Sequence, residues 1–164
     1  MLADLAAAIA GARRIAVFGA GASGLAAQDL GAKLGRIGLM CTAHVDAHAA
    51  LPAAALLGKG DVAIALSHSG RTDDVVAALR VARAAGARTA AITNSPASPL
   101  VAQAEHLLTT AATESALRSG ATASRIAQLT VVDCVFVAVA RLLPDLGRDA
   151  LRRTREAIAD RRSG

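Results

Sequence analysis

The sequence has almost no aromatic side chains: it contains two Phe and neither Trp nor Tyr in 164 residues. Proteins that bind single-stranded nucleic acid stack the bases on aromatic rings, and this chain cannot supply such a platform. An aromatic platform for sugar rings is excluded for the same reason. The hydrophobic content of 54% is mostly Ala, Val, Leu and Ile, so we expect a core of closely packed aliphatic layers.

Cysteine is equally scarce. Cys41 and Cys134 lie far apart in apolar segments, where we expect two buried free thiols of the kind found in a reducing compartment. Asp4 interrupts the first apolar residues and no basic residue precedes them, so the start does not resemble a signal peptide. No uninterrupted apolar run reaches the ~18 residues of a membrane span. These features predict a cytoplasmic protein with no membrane partner.

Lysine is nearly absent, because 16 of the 18 basic residues are Arg. The net charge is +5, and seven Arg fall within the last 24 residues, interspersed with acids. Asp149 stands four residues before Arg153, which is the spacing of an ion pair on a helix. Arg152 and Glu156 repeat that spacing. This pattern favours a solvated helix face over a nucleic-acid patch.

The length fits one domain, and short apolar runs alternate with helical patterns along it. The apolar runs predict strands over residues 14–18, 61–66, 88–92 and 106–110, and a further strand, second in chain order, that begins at residues 38–41. Helical patterns over residues 2–10, 22–35, 72–85 and 119–143 lie around and between them, with a loop and helix over residues 44–57, a short helix ending at 104 and a basic helix after Pro144. Strands that alternate with helices predict an α/β fold: a three-layer α-β-α sandwich with a five-stranded parallel sheet in the flavodoxin-like order 2-1-3-4-5.

The segment 67–72, Ser-His-Ser-Gly-Arg-Thr, has the composition of a phosphate-binding loop. It follows a buried strand and precedes a helix, whose free N–H groups and positive dipole end favour an anion. Gly70 allows a ligand close to the backbone, and Ser67, Ser69 and Thr72 offer hydroxyl donors. Ser69 or Thr72 could instead be an ordinary helix cap. Three hydroxyls with a glycine at this sheet edge favour the anion site.

A second glycine-rich loop, residues 19–24, matches the dinucleotide-binding pattern G-x-G-x-x-G between a strand and a helix. A dinucleotide site also needs an acid at the end of the second strand, and the nearest candidate, Asp46, lies beyond that end. A second hydroxyl-rich loop is not required by a dinucleotide domain. Ser23 in the first loop, together with the segment 67–72, indicates a small phosphorylated ligand held from two sides.

Four motifs in this order closely resemble the SIS (sugar isomerase) domain, above all the version at the C-terminal end of RpiR-type transcriptional regulators. They are GAGASG, LSHSGRT, AITNSPASPL and RSGATASRIAQLTVVD, and the resemblance covers residues 4–143. It implies a phosphosugar ligand, with Ser67, Ser69 and Thr72 around the phosphate and Ser23 contacting the ligand. It also implies that Glu114 lies where related isomerases place an acid near the sugar carbons.

The resemblance also predicts how the chain is divided. Regulators of this type carry an N-terminal helix-turn-helix domain, whereas only about ten residues precede the SIS part here. We therefore expect a phosphosugar-binding domain with a short N-terminal helix over residues 1–143 and a basic helix over residues 144–164. DNA would be bound only through a helix-turn-helix domain absent from this chain.

Two functions are compatible with these residues: an effector-sensing domain of a regulator, with no catalytic residue, and a stand-alone aldose–ketose phosphosugar isomerase. In an isomerase Glu114 would be the general base, but its only prospective partners are His68 and His44. His68 lies inside the phosphate loop, where it either contacts the ligand or faces solvent. His44 and His48 imitate a metal pair, yet no third ligand is evident, so we expect neither a metal nor another cofactor.

The predicted helix 119–143 carries apolar residues around almost its whole circumference. A surface helix normally shows only an apolar stripe, so both sides of this helix must be covered. Its own sheet can cover one side. We therefore expect a homodimer or tetramer, in which Arg125 or Glu114 could serve the partner's site.

Overall fold

The computed structural model describes residues 1–114 and 121–159. The elements in chain order are α1 (Leu2–Ala10), β1 (Ile15–Gly19), α2 (Ala22–Arg36), β2 (Cys41–His44), α3 (Ala47–Ala55), β3 (Val62–Leu66), α4 (Asp73–Ala84), β4 (Arg88–Thr93), a 3₁₀ turn (Val101–Gln103), β5 (His106–Thr109), α5 (Thr122–Leu142) and α6 (Pro144–Ala159).

The five strands form one parallel sheet in the order β2-β1-β3-β4-β5, which confirms the predicted fold class and strand order. Every residue of β1 and β3 is buried, as expected for central strands that are covered by helices on both faces. Gly19 pairs with Leu66, and Leu66 pairs with Ile92. The loops after β1, β3 and β4 therefore begin side by side at one edge of the sheet.

Two aliphatic layers enclose the sheet. One layer joins it to α1, α2 and α5, and the other joins it to α3 and α4. Phe18 is the one aromatic side chain among the largest fully buried residues, which are otherwise mostly Leu and Ile. The core is therefore built from aliphatic side chains, as the composition predicts.

The second strand starts later than predicted: the prediction began it at residues 38–41, whereas β2 spans Cys41–His44. Turn bonds from Gly38 N to Gly35 O and from Leu39 N to Leu34 O extend the end of α2 into that segment. Met40, which the apolar pattern assigned to the strand, is 72% exposed. An edge strand is only partly covered, so its position does not require a run of apolar residues.

The last long helix, α5, packs against α1 and α2. Residues 119 and 120, where the prediction began this helix, lie outside the described residues. Its buried face carries Ser124, Gln128, Val132, Val135 and Val139, whereas Ile126 and Val137 are 62% and 54% exposed. Among the described residues, α5 alone is long and apolar enough to cross a membrane by length and composition, a test that the core helix of a soluble domain also passes.

The prediction of two buried thiols is wrong for Cys134, which is exposed because it lies on the outer face of α5. Cys41 is half-buried, and burial raises the pKa of its thiol to about 12. On α6, Arg152 pairs with Glu156 as predicted. Asp149 pairs with Arg152, three residues on, instead of with Arg153.

Candidate functional site

A cleft of about 480 Å³ opens at the carboxyl edge of the sheet. All six side chains predicted to bind the ligand line it: Ser23, Ser67, His68, Ser69, Thr72 and Glu114. Three separate segments thus converge on one cleft, namely the loop after β1, the loop after β3 and the segment after β5. The predicted Gly70 contributes backbone to the second of these loops.

The loop at residues 67–72, called the phosphate loop below, is held in shape by its own hydroxyl groups. The Oγ of Ser67 lies 3.0 Å from Oγ1 of Thr72 and accepts a hydrogen bond from the N–H of Gly70 at 3.1 Å. The N–H of Arg71 donates to Oγ of Ser69 at 3.2 Å. Thr72 is the N-cap residue of α4, but its side chain makes no capping bond. The alternative that these hydroxyls only cap the helix is therefore wrong for Thr72.

The segment that follows β4, residues 93–100, forms hydrogen bonds with the backbone of the phosphate loop. The carbonyl oxygen of His68 accepts hydrogen bonds from the N–H of Asn94 and from Oγ1 of Thr93. The N–H of Leu100 donates to the carbonyl oxygen of Gly70. Gly70 has φ of +64°, and a Cβ atom there would lie 2.0 Å from Oγ of Ser98. Glycine is therefore required at this position by both backbone conformation and space.

The first glycine loop brings α2 close to β1. A Cβ atom on Gly19 would lie 2.7 Å from the carbonyl oxygen of Ser23, so this glycine permits close packing of helix and strand. Gly21, with φ of +55°, precedes the helix. Asp46, the candidate ribose ligand of a dinucleotide site, instead caps α3 by accepting a bond from the N–H of Ala49 at 2.9 Å. The described residues therefore favour the smaller ligand.

Glu114 connects the cleft to α5. Its Oε1 accepts a hydrogen bond from the N–H of Ser124 at 2.7 Å, near the start of that helix. A carboxylate is stabilised at a helix N-terminus, where the backbone N–H groups and the helix dipole are positive. Glu114 thus combines a position in the cleft with a capping role that sequence reasoning did not anticipate.

The histidines separate into different environments. His68 is half-buried in the cleft, and its Nδ1 is one of two buried side-chain polar atoms without a hydrogen-bond partner in the described residues. His44 ends β2, where burial lowers its pKa and its ring lies 5.8 Å from that of Phe18. His44 and His48 are not among the residues that line the cleft. Within residues 1–114 and 121–159, no cluster of three metal-ligating side chains occurs.

Sequence reasoning missed two polar residues that organise the cleft. The Nε2 of Gln128 donates to Oγ of Ser23 at 3.0 Å, although the two residues are 105 positions apart. The Oδ1 of Asn94 accepts bonds from Oγ1 of Thr110 and from the N–H of Ala112, which ties the end of β4 to the segment leading to Glu114. A signal existed for Gln128: it interrupts an apolar helix one turn after Ser124.

The family model of the SIS domain matches residues 8–138. An uncharacterized HTH-type transcriptional regulator of Caldanaerobacter subterraneus is 45% identical over 134 residues, which cover 82% of this chain and 48% of that protein. The HTH-type transcriptional regulator RpiR of Escherichia coli is 41% identical over 131 residues, covering 80% of this chain and 44% of that protein. The chain therefore spans about half the length of these curated relatives.

Solved structures agree in fold. The Vibrio vulnificus NanR protein complexed with ManNAc-6P superposes with a TM-score of 0.90 at 30% identity, covering 97% of this chain and 60% of that one. The sugar isomerase domain of the RpiR transcription factor from Sphaerobacter thermophilus gives a TM-score of 0.85 at 28% identity, covering 94% and 85% of the two chains. The second of these is the sugar isomerase domain of a transcription factor, and the match covers 60% of the NanR chain.

Proposed function

Because the chain belongs to the SIS domain family, we propose that it binds a phosphosugar and is the effector-sensing domain of an RpiR-type transcriptional regulator of carbohydrate metabolism. The observation that carries this proposal is the cleft, where the phosphate loop, Ser23 and Glu114 face one space of ligand size. The complex of the related NanR protein with ManNAc-6P supports the same ligand class.

The phosphate belongs in the phosphate loop. Ser67 and Thr72 already hold each other's hydroxyls in place, and the first turn of α4 has no side-chain cap. The free N–H groups of that turn and the helix dipole stabilise an anion. In the described part of the chain, no Lys or Arg lines the cleft. Neutral donors would therefore carry the phosphate, and the sugar would extend toward Ser23 and Glu114.

A sensing role accounts for Glu114 better than catalysis does. A general base must reach the proton that it abstracts, whereas Oε1 of Glu114 is engaged by the N–H of Ser124. The carboxylate would then accept a hydrogen bond from a hydroxyl of the sugar without removing a proton from carbon. An aldose–ketose isomerase is the second candidate, because Glu114 and His68 line the same cleft. We propose that no metal and no cofactor take part.

The remaining assignments follow the same family. We assign phosphosugar binding to residues 1–143 and treat residues 144–164 as a basic appendage. We assign DNA recognition to a helix-turn-helix domain that is not part of residues 1–164. The regulator would act in the cytoplasm as a homodimer or tetramer in which α5 forms a contact between copies.

A thermal-shift panel tests the proposal. Hexose, pentose and amino-sugar phosphates are each compared with the same sugar lacking phosphate, which is the matched control. A ligand that binds only the native state adds about 2.7 kcal/mol at 100 times its Kd. We expect stabilisation by at least one phosphosugar and none by its unphosphorylated counterpart. Equal stabilisation by both sugars, or by neither, would contradict the proposal.

The isomerase alternative has its own test. The protein is incubated with the phosphosugars that stabilise it, and interconversion of aldose and ketose forms is followed by chromatography. A sensing domain leaves them unchanged. Turnover that is lost in Glu114→Gln while binding persists would establish the isomerase instead.

A further inference from the structure

Gln128 is a polar residue in an otherwise apolar stretch of α5. Its side chain is 1% exposed and is surrounded by the core that α5 forms with α1 and α2. An amide is unfavourable at a buried position unless it is hydrogen-bonded. The bond that it makes, from Nε2 to Oγ of Ser23 at 3.0 Å, ends on a hydroxyl that lines the cleft.

This bond determines what Ser23 can offer a ligand. A serine hydroxyl has one hydrogen to donate and two lone pairs with which to accept. The Gln128 amide occupies a lone pair, so the hydrogen of Ser23 remains available for another acceptor. Ser23 is the second residue of α2, and its hydroxyl borders the same cleft as Ser67 and Glu114.

We propose that Gln128 is a positioning residue that orients the Ser23 hydroxyl as a hydrogen-bond donor toward an acceptor oxygen on the sugar portion of the bound phosphosugar. This inference rests on the proposed function. The phosphate loop takes the phosphate, and Ser23 takes a sugar oxygen at the other side of the cleft. Gln128 itself does not contact the ligand.

The position of Gln128 on α5 supports this role. It lies one helical turn after Ser124, whose N–H is bonded to Glu114. Residues four apart share one face of a helix, and both Ser124 and Gln128 are buried. The first two turns of α5 therefore hold both Glu114 and Ser23. Together with Ser124 itself, these are the polar side chains that line the cleft outside the phosphate loop in the described residues.

A double-mutant cycle tests the proposal. Gln128→Met keeps the length of the side chain but removes the donor, and Ser23→Ala removes the hydroxyl. Calorimetric titration uses inorganic phosphate and the tightest binder among ManNAc-6P, fructose 6-phosphate and ribose 5-phosphate. We expect each single change to weaken phosphosugar binding about threefold to tenfold, the range of one hydrogen bond. The double variant should be no weaker than Ser23→Ala, and affinity for inorganic phosphate should be unchanged.

Two further variants separate positioning from packing. Val135→Ala, two turns along the same buried face of α5, should lower the unfolding midpoint without altering phosphosugar affinity. Gln128→Glu keeps the shape of the side chain but offers an acceptor that captures the Ser23 hydrogen, so it should weaken binding as Ser23→Ala does. If Gln128→Met does not fold, Gln128→Glu takes its place in the double-mutant cycle.

The outcomes distinguish this inference from the proposed function. Wild-type affinity in Gln128→Met, or losses that add fully in the double variant, would overturn the role of Gln128 while leaving phosphosugar binding intact. Equal loss of affinity for inorganic phosphate would show that Gln128 only supports the fold, and would overturn it too. Wild-type protein that binds none of the phosphosugars would overturn the proposed function and, with it, this inference.

Discussion

Gly70 is the residue on which the shape of the phosphate loop depends most directly. Gly70→Ala introduces a Cβ atom 2.0 Å from Oγ of Ser98 at a φ of +64°, so both strain and a steric clash result. We expect a loss of roughly 2 to 4 kcal/mol in the free energy of unfolding and loss of phosphosugar binding. Urea denaturation measures the first effect and calorimetry the second.

Gly60 provides the matched control for Gly70. It has φ of +88°, yet a Cβ atom there would meet nothing within 4 Å. Gly60→Ala therefore reports backbone strain alone, expected at roughly 1 kcal/mol, and leaves binding unchanged. If both substitutions lower the free energy of unfolding equally and both proteins bind ligand, the close approach of Ser98 does not require glycine at position 70.

Asp61 stabilises the opposite edge of the sheet from the cleft. Its carboxylate is fully buried and accepts bonds from Arg13, Arg14 and the N–H of Gly58. The Arg13 guanidinium, opposed in part by burial, holds the pKa of this carboxyl well below its usual value of 3.8. A carboxyl of lowered pKa contributes stability above its unfolded pKa, and that stability is lost as the pH falls through the folded value.

Asp61→Asn should therefore destabilise the protein at pH 7. Both arginines are substantially exposed, so we expect roughly 1 to 3 kcal/mol rather than the full cost of breaking a buried pair. The difference between variant and wild type should shrink as the pH is lowered below 3.8, whereas ligand affinity at pH 7 should not change. A difference in urea stability that stays constant down to pH 2.5 would refute the assigned charge.

Site residues that lie close together in the sequence were easier to predict than those that only folding brings together. Ser67, Ser69 and Thr72 could be identified because one strand, one loop and one helix start place them together. Ser23 was indicated by the first glycine loop and by the family resemblance, and Glu114 by the resemblance alone. Both line the cleft together with the phosphate loop. Gln128 was not assigned: its polarity in an apolar helix was a signal, but its bond to Ser23 joins residues 105 positions apart and forms only after α5 has packed on α2.

The outer face of α5 is exposed within residues 121–159. Ile126, Val137 and Leu142 are exposed there, together with Cys134, and apolar patches of this kind mark interfaces. We expect light scattering at tens of micromolar to give a mass above the 16.4 kDa of one chain. Val137→Asp should shift the protein toward the monomer, because a charge at an apolar interface must be desolvated.

Leu56→Asp is the control for α5, since Leu56 is 72% exposed, more than the 54% of Val137, but lies after α3. It should leave the mass unchanged. A 16.4 kDa species for wild type with full ligand affinity would show that the outer face of α5 is not an interface and that no second copy completes the cleft.

Elements differ in how well the sequence predicts them. The central strands β1 and β3 are buried on both faces, so their apolar runs identified them within one residue. The edge strand β2 is only partly buried, and its start was predicted at Gly38, three residues too early. The break at Pro144 was predicted correctly because proline favours the first position of a helix, where α6 begins.

Residues 1–164 carry a net charge of +5, and within them the short helix α1 is the element that precedes the sheet. Part of the positive charge of α6 is balanced by ion pairs, since Arg152 pairs with Asp149 and Glu156, and Arg148 pairs with Asp145. We expect no sequence-specific DNA binding by residues 1–164, and any residual binding should fall steeply with salt, as phosphate contacts do. An electrophoretic shift assay at physiological salt that found one operator strongly preferred over random DNA would contradict this.

The central claim is that the cleft binds a phosphosugar through the phosphate loop. It is tested most directly by calorimetric titration of wild type and of the triple variant Ser67→Ala, Ser69→Ala, Thr72→Ala with the phosphosugar that stabilises wild type most. Thr154→Ala, which removes an exposed hydroxyl on α6, is the control. We predict that the triple variant loses at least tenfold in affinity, since a hydrogen bond to a charged group contributes about 1.5 to 3 kcal/mol, and that Thr154→Ala binds as wild type does. Unchanged affinity in a folded triple variant would place the phosphate elsewhere and contradict the claim.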